Sequence, residues 1–137
     1  MARILVVDDD ADLLKSLSMR LRYEGHDVTS ADGGPMALAK LDLEVPHMVI
    51  TDLRMPEMDG LQLFEAIHRR FPLMPVVILT ANGTIPDAVR AMQKGVFGYI
   101  TKPFEGVALM REVDRAQPTA LRRSPRARGA RPSEARA

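Results

Sequence analysis

Two acidic clusters close apolar runs in this 137-residue chain: Asp8, Asp9 and Asp10 follow residues 4–7, and Asp52 follows Met48–Thr51. Thr80 closes a third run at 76–79, and Lys102 stands just past a fourth at 97–100. If these runs are neighbouring parallel strands, the polar groups meet along one edge. Carboxylates a few ångströms apart raise one another's pKa unless a cation joins them. A hard divalent ion such as Mg2+ answers that need, because it takes oxygen ligands and pairs with one or two carboxylates plus a phosphate. Phosphoryl chemistry is therefore the first expectation. Two or three carboxylates hold the ion, one accepts the phosphoryl group, and the Thr80 hydroxyl and Lys102 ammonium receive its oxygens. Such a transfer rests on positioning and charge stabilisation, so no histidine base is required.

Taken singly, the same residues have plainer readings. The acids after the first run suit a helix N-cap, Asp52 before a Pro-containing loop suits a turn, and Lys102 alone is a solvated charge. Their conjunction carries the inference. His26, His47 and His68 keep no metal-ligand spacing and read as surface or packing residues.

The elements that must position the cluster follow from patterning. Apolar β-branched runs at 4–7, 28–31, 48–51, 76–79 and 97–100 alternate with helical patterns. Leu13, Leu14, Leu17 and Leu21 mark the first helix, and Gly33-Gly34-Pro35 turns into a second at 36–41. A third runs over 61–70 behind a loop holding Pro56 and Gly60, and a fourth over 85–93 is stopped by Gly95. Pro103 is expected to open a fifth that ends near Ala116, with Glu105, Arg111, Glu112 and Arg115 on its polar side. Five strands alternating with five helices predict an α/β fold, a single open doubly wound parallel sheet with helices on both faces. Right-handed crossovers put the loops after the strands on one edge, where ligands bind in such sheets.

Composition narrows the functional classes. The chain has no cysteine, which excludes disulfides, thiolate metal sites and cysteine nucleophiles. Its start, MARILVVDDD, lacks the pattern of a secretory signal, and no run approaches the roughly 18 apolar residues of a membrane span. A cytoplasmic protein with no membrane partner is expected. The net charge of +1 hides an asymmetry. Residues 117–137 carry six arginines against one glutamate, whereas 1–116 carry 13 basic and 17 acidic side chains. The expected organisation is a folded, mildly acidic domain over 1–116 and a basic, disordered tail over 117–137. An acidic domain suits nucleic acid poorly on its own surface, and weak contact through the arginine tail is a minor reading.

The segments VVDDD, TDLRMPEMDG, VVILTA and YITKPF, in this order, resemble the receiver domain of bacterial two-component response regulators. PEMDG and TIPDAVRAMQKGVFGYITKPF look most like receivers of NtrC-like transcription activators. The resemblance implies a flavodoxin-like (CheY-like) strand order 2-1-3-4-5, with Asp52 as phosphoacceptor. It implies that Asp9 and Asp52 ligate Mg2+ directly, Asp8 through bound water, and Arg54 through its backbone carbonyl. Lys102 would pair with the phosphoryl group, Thr80 would hydrogen-bond it, and Tyr99 would be an aromatic switch. The bond from Lys102 to Pro103 is cis in that family. Arg54 and Asn82 occupy positions that tune dephosphorylation. Implied partners are a sensor histidine kinase and a second copy meeting through helix 4, strand 5 and helix 5. The module would catalyse only its own phosphorylation and dephosphorylation. No phosphate loop of an ATPase domain is present, so DNA contact is implied only indirectly, through effector domains outside this sequence.

Two other readings compete. A Mg2+-dependent phosphohydrolase resembling the haloacid dehalogenase superfamily would use Asp8 as nucleophile and Asp10 as acid/base. It leaves Asp52 without a role and lacks a later acidic pair for metal. A flavodoxin-like cofactor carrier needs hydroxyls and free amides after the first strand, where Asp8 to Asp10 would repel a phosphate.

Overall fold

Strand and helix alternate from end to end of the described chain. The computed structural model describes residues 1–81, 84–102 and 106–118. Its elements are β1 (Arg3–Val7), α1 (Ala11–Tyr23), β2 (Asp27–Ala31), α2 (Gly34–Leu43), β3 (Met48–Thr51), α3 (Gly60–Arg70), β4 (Val76–Thr80), α4 (Ile85–Lys94), β5 (Gly98–Thr101) and α5 (Gly106–Ala116). The strands form one parallel sheet in the order β2-β1-β3-β4-β5. The order reverses between β1 and β3, so a crevice opens beyond their carboxyl ends.

Strand periodicity divides the core into two layers. Ile4, Val6, Met48, Ile50, Val77 and Leu79 face α1 and α5, where Leu17, Leu21, Leu109 and Val113 cover them. Leu5, Val7, Val49, Val76 and Ile78 face the opposite way, onto Leu41 of α2, Leu63, Phe64 and Ile67 of α3, and Ala91 of α4. Consecutive residues pointing to opposite faces, both apolar, explain why β1, β3 and β4 read as continuous apolar runs.

Local chemistry fixes the boundaries. Asp59 caps α3 in a reciprocal box with Gln62, and Thr84 caps α4 in a box with Asp87. Gly95 ends α4 in the left-handed region at φ 106°, where a Cβ would be strained. Several boundaries differ from the sequence reading by one or two residues. β5 is displaced by one residue, because the register pairs Val77 with Gly98. Gly34 and Pro35 are already inside α2, and α3 begins at Gly60 rather than Leu61. His26 and His47 are structural: their Nδ1 atoms accept the Ala2 and Arg3 backbone N–H groups at 3.1 and 2.9 Å. Burial, the Arg3 charge and the amino terminus hold His47 below its ordinary pKa, which keeps that nitrogen free to accept.

Asn82, Pro103, the Lys102–Pro103 bond, Glu105 and the basic tail beyond residue 118 lie outside the described residues. None of the described helices is long and apolar enough to cross a membrane.

Candidate functional site

The backbone ladders continue one step past the strands and thereby set the site. The Asp8 N–H donates to the Ala31 carbonyl at 3.2 Å, Asp52 N–H to Val7 at 2.9 Å, and Lys102 N–H to Thr80 at 2.8 Å. Each polar residue is thus anchored by a neighbouring strand rather than hung on a free loop. Because Val7 pairs with Thr51, the next residues, Asp8 and Asp52, stand abreast across the crevice.

The three acids after β1 divide their tasks. Asp10 is the N-cap of α1, its Oδ1 accepting the Asp12 and Leu13 N–H groups at 3.1 and 3.2 Å. Asp8 folds back, its Oδ1 accepting the Asp10 N–H at 2.9 Å, and is 4% exposed. Asp9 is exposed, and one oxygen from each of Asp8, Asp9 and Asp52 lies within 4.8 Å of the others. Capping and clustering therefore coexist, on different residues of one run.

Asp52 is 9% exposed, and its Oδ1 accepts the Leu53 N–H at 2.8 Å. Its own carbonyl accepts the fully buried Thr51 hydroxyl at 2.9 Å. Gly60, the first residue of α3, packs directly on that carbonyl: a Cβ at Gly60 would lie 2.2 Å from the Asp52 oxygen. Lys102 enters from β5, its Nζ 3.2 Å from Asp8 Oδ2 and 3.9 Å from Asp52 Oδ1, with only 14% of its side chain exposed. Thr80 ends β4 and is wholly buried. Tyr99 packs on the α3–α4 side of the sheet, and its hydroxyl is buried with no hydrogen-bond partner among the described residues. Burial raises the Tyr99 phenol above its ordinary pKa, with the Asp87 charge adding to the effect.

The electrostatics show an imbalance. Burial pushes the Asp8 carboxyl above its ordinary value and Asp52 adds to that, while the Asp10 N–H and Lys102 oppose it without cancelling it. A carboxyl raised on folding stabilises the fold at low pH and loses that contribution as pH rises through the folded value. Asp8→Asn keeps the acceptor for Asp10 while removing the charge. Without divalent metal, we expect it to raise unfolding free energy at pH 7 by about 1 kcal/mol, a stabilising change at a functional position. Urea titrations of both proteins at pH 7 and pH 4.5 check this, the difference narrowing at the lower pH. A less stable variant at pH 7 would show that Lys102 outweighs burial.

The acids fit a hard cation: the donors are oxygens only, they come from two adjacent strand ends, and they carry more negative charge than one ammonium balances.

The response regulator receiver domain family matches residues 4–114. The chain belongs to that family. This receiver is 52% identical over 115 residues to the transcriptional regulatory protein GlrR of Escherichia coli, covering 84% of this chain and 26% of GlrR. It is 41% identical over 110 residues to the DNA-binding transcriptional regulator NtrC of Salmonella typhimurium, covering 78% of this chain and 24% of NtrC. The chain thus spans about a quarter of the length of these relatives. Among solved structures, the receiver domain of NtrX from Brucella abortus superposes with a TM-score of 0.78 at 35% identity, covering 82% of this chain and 96% of that one. A receiver domain protein from Clostridium thermocellum gives 0.80 at 31% identity, covering 85% and 94%. The likeness is to receivers of NtrC-like regulators, and receivers are signalling modules. The doubly wound order and the family expected from the motifs are both found.

Sequence reasoning missed three features of the receiver. Gly60 has the sequence signature of loop punctuation, and its approach to the Asp52 carbonyl leaves no sign beyond the Asp-Gly pair. The Thr51 hydroxyl looked like one more strand residue. The contact of the Arg54 side chain with Asp87 of α4, 33 residues away at 2.8 Å, has no sequence signature.

Proposed function

We propose that Asp52 accepts a phosphoryl group from the phosphohistidine of a sensor kinase, and that Asp8, Asp9, Asp52 and the Arg54 carbonyl hold Mg2+ during transfer. The observation that carries this reading is the meeting of Asp8, Asp9 and Asp52 within 4.8 Å, with Lys102 against two of them. A Mg2+ ion held by these residues would supply charge neutralisation for phosphoryl transfer. The chain's own residues do the rest. The Leu53 N–H fixes Oδ1 of the Asp52 carboxylate, while the Thr51 hydroxyl holds the Asp52 backbone carbonyl, leaving Oδ2 to attack phosphorus. Lys102 receives a phosphoryl oxygen, and the Thr80 hydroxyl binds another. Tyr99, whose hydroxyl is buried without a described partner, is the aromatic switch that rearranges when Thr80 is drawn to the phosphoryl group. Attack by water on phosphorus breaks the aspartyl O–P bond, releases inorganic phosphate and returns Asp52 to its carboxylate.

The output is a change on the face of α4, β5 and α5, where Ile85, Val89 and Met92 are exposed apolar side chains. A homodimer or an effector domain is the receiving partner, in the cytoplasm. DNA contact belongs to effector domains such as the relatives carry, and the arginine-rich tail adds at most weak contact. The proposed boundary between receiver and tail falls after Ala116.

The phosphohydrolase reading predicts a different product. Asp8 is bound to the Asp10 N–H and Lys102, and Asp10 is committed to capping α1, so neither is placed as a nucleophile or acid/base pair. With acetyl phosphate and Mg2+, the protein should retain one phosphoryl group per chain and show no sustained turnover of p-nitrophenyl phosphate. Continuous turnover that Asp8→Asn abolishes would replace this proposal with a hydrolase.

A further inference from the structure

Arg54 lies two residues past Asp52, and its guanidinium does not point into the acidic cluster. It donates to Asp87 Oδ2 at 2.8 Å. That oxygen is already engaged, because it accepts the Thr84 N–H at 3.2 Å while the Thr84 hydroxyl accepts the Asp87 N–H at 3.2 Å. The ion pair therefore clamps the capped first turn of α4 to the loop that carries Asp52. Asp87 is 17% exposed on its side chain and Arg54 50%. Buried beside them is the Tyr99 hydroxyl, on which the charges of Asp87, Arg54 and Asp52 all act. Arg54 thus stands two residues past the proposed acceptor, with its guanidinium held by Asp87 of α4.

A phosphoryl group brings charge near −2 and three strong acceptor oxygens to Asp52. Guanidinium binds such a group through two parallel hydrogen bonds, more strongly than it binds a singly charged carboxylate through one. We propose that Arg54 is a latch between the acceptor loop and α4: it holds Asp87 in the unphosphorylated receiver and transfers to the phosphoryl oxygens on Asp52, which frees the first turn of α4. This deepens the proposed function and rests on Asp52 being the acceptor. The Arg90 charge also acts on Asp87, so Asp87 keeps a counter-charge on α4 after release.

The test is amide hydrogen exchange of α4 in the full chain, for wild type, Arg54→Ala, Asp87→Asn and the double variant. Asparagine retains the cap acceptor for Thr84 and loses the charge, so the latch is separated from the cap. Each single variant is expected to speed exchange in the first turn of α4 by about two- to five-fold, the range of a partly exposed ion pair. The double variant should match either single one. Unchanged or multiplicative rates would overturn the latch without reference to phosphorylation. In the second arm, acetyl phosphate and Mg2+ are added and the adduct is confirmed by intact mass. Labelled wild type should then reach the exchange rate of unlabelled Arg54→Ala. An adduct with unchanged α4 exchange would overturn the transfer while leaving the acceptor assignment intact. Absence of any adduct would overturn the acceptor assignment and the transfer with it.

Discussion

Asp52→Asn brings phosphoryl incorporation from acetyl phosphate down to background, and Lys102→Met lowers its initial rate by about 100-fold or more. The first effect is chemical, since an amide oxygen is no nucleophile toward phosphorus under these conditions while the Leu53 N–H bond and the packing survive. The second is electrostatic. Lys102 is the cation in contact with both Asp8 and Asp52, and removing one preorganised donor from a transition state costs about 100- to 1,000-fold. Methionine preserves the side-chain length, so a rate loss reports charge rather than packing. Incorporation measured with labelled acetyl phosphate, alongside circular dichroism to confirm folding, reads both. Full incorporation into Asp52→Asn would move the acceptor elsewhere.

Gly60→Ala is expected to destabilise the receiver by about 2 kcal/mol and to slow phosphoryl incorporation together. The methyl group would sit 2.2 Å from the Asp52 oxygen and 3.1 Å from the Leu53 Cα, all backbone atoms, so no side chain can rotate away. Overpacking of this kind costs about 1–3 kcal/mol, offset only in part by the better helix propensity of alanine. The strand end must shift, and displacing an acceptor by about 1 Å costs about 100-fold in rate. Gly33→Ala is the control: its nearest neighbour is Pro35 Cδ at 3.9 Å, so no backbone clash arises, and its loss should stay at or below about 1 kcal/mol, the poorer N-cap preference of alanine at the start of α2, with phosphoryl incorporation unchanged. Urea unfolding and the incorporation assay separate the two variants. Equal stability of both would show that the α3 entry yields without moving Asp52.

What was legible in the sequence was mostly what is local or periodic. Strands buried on both faces announced themselves as apolar runs, and the residue after each run fell at one sheet edge because parallel strands share a direction. Asp8, Asp52 and Lys102 meet there, and Thr80 closes the neighbouring strand β4. Periodicity alone does not allocate roles within Asp8-Asp9-Asp10, because the turn that points Asp10 at α1 and Asp9 at the cluster is set by backbone angles; only the resemblance to receivers separates Asp8 and Asp9 from Asp10. Nor does it reveal Arg54–Asp87, a contact between residues 33 apart whose types are ordinary for any surface. Gly60 shows the same limit: the sequence records that a side chain is missing but not which atom fills its place. Helix starts moved by one or two residues where glycine or proline made the entry, since capping rather than hydrophobic period decides that boundary.

The central claim is that the strand-end carboxylates cooperate around one cation to make Asp52 a phosphoryl acceptor. Intact mass of the wild-type protein with acetyl phosphate, with and without Mg2+, followed by fragment mapping, tests it most directly. The account predicts a single adduct of one phosphoryl group, on Asp52, formed with Mg2+ and absent when the metal is chelated. An adduct on Asp8 or a histidine, or one on Asp52 that forms equally well under chelation, would contradict it.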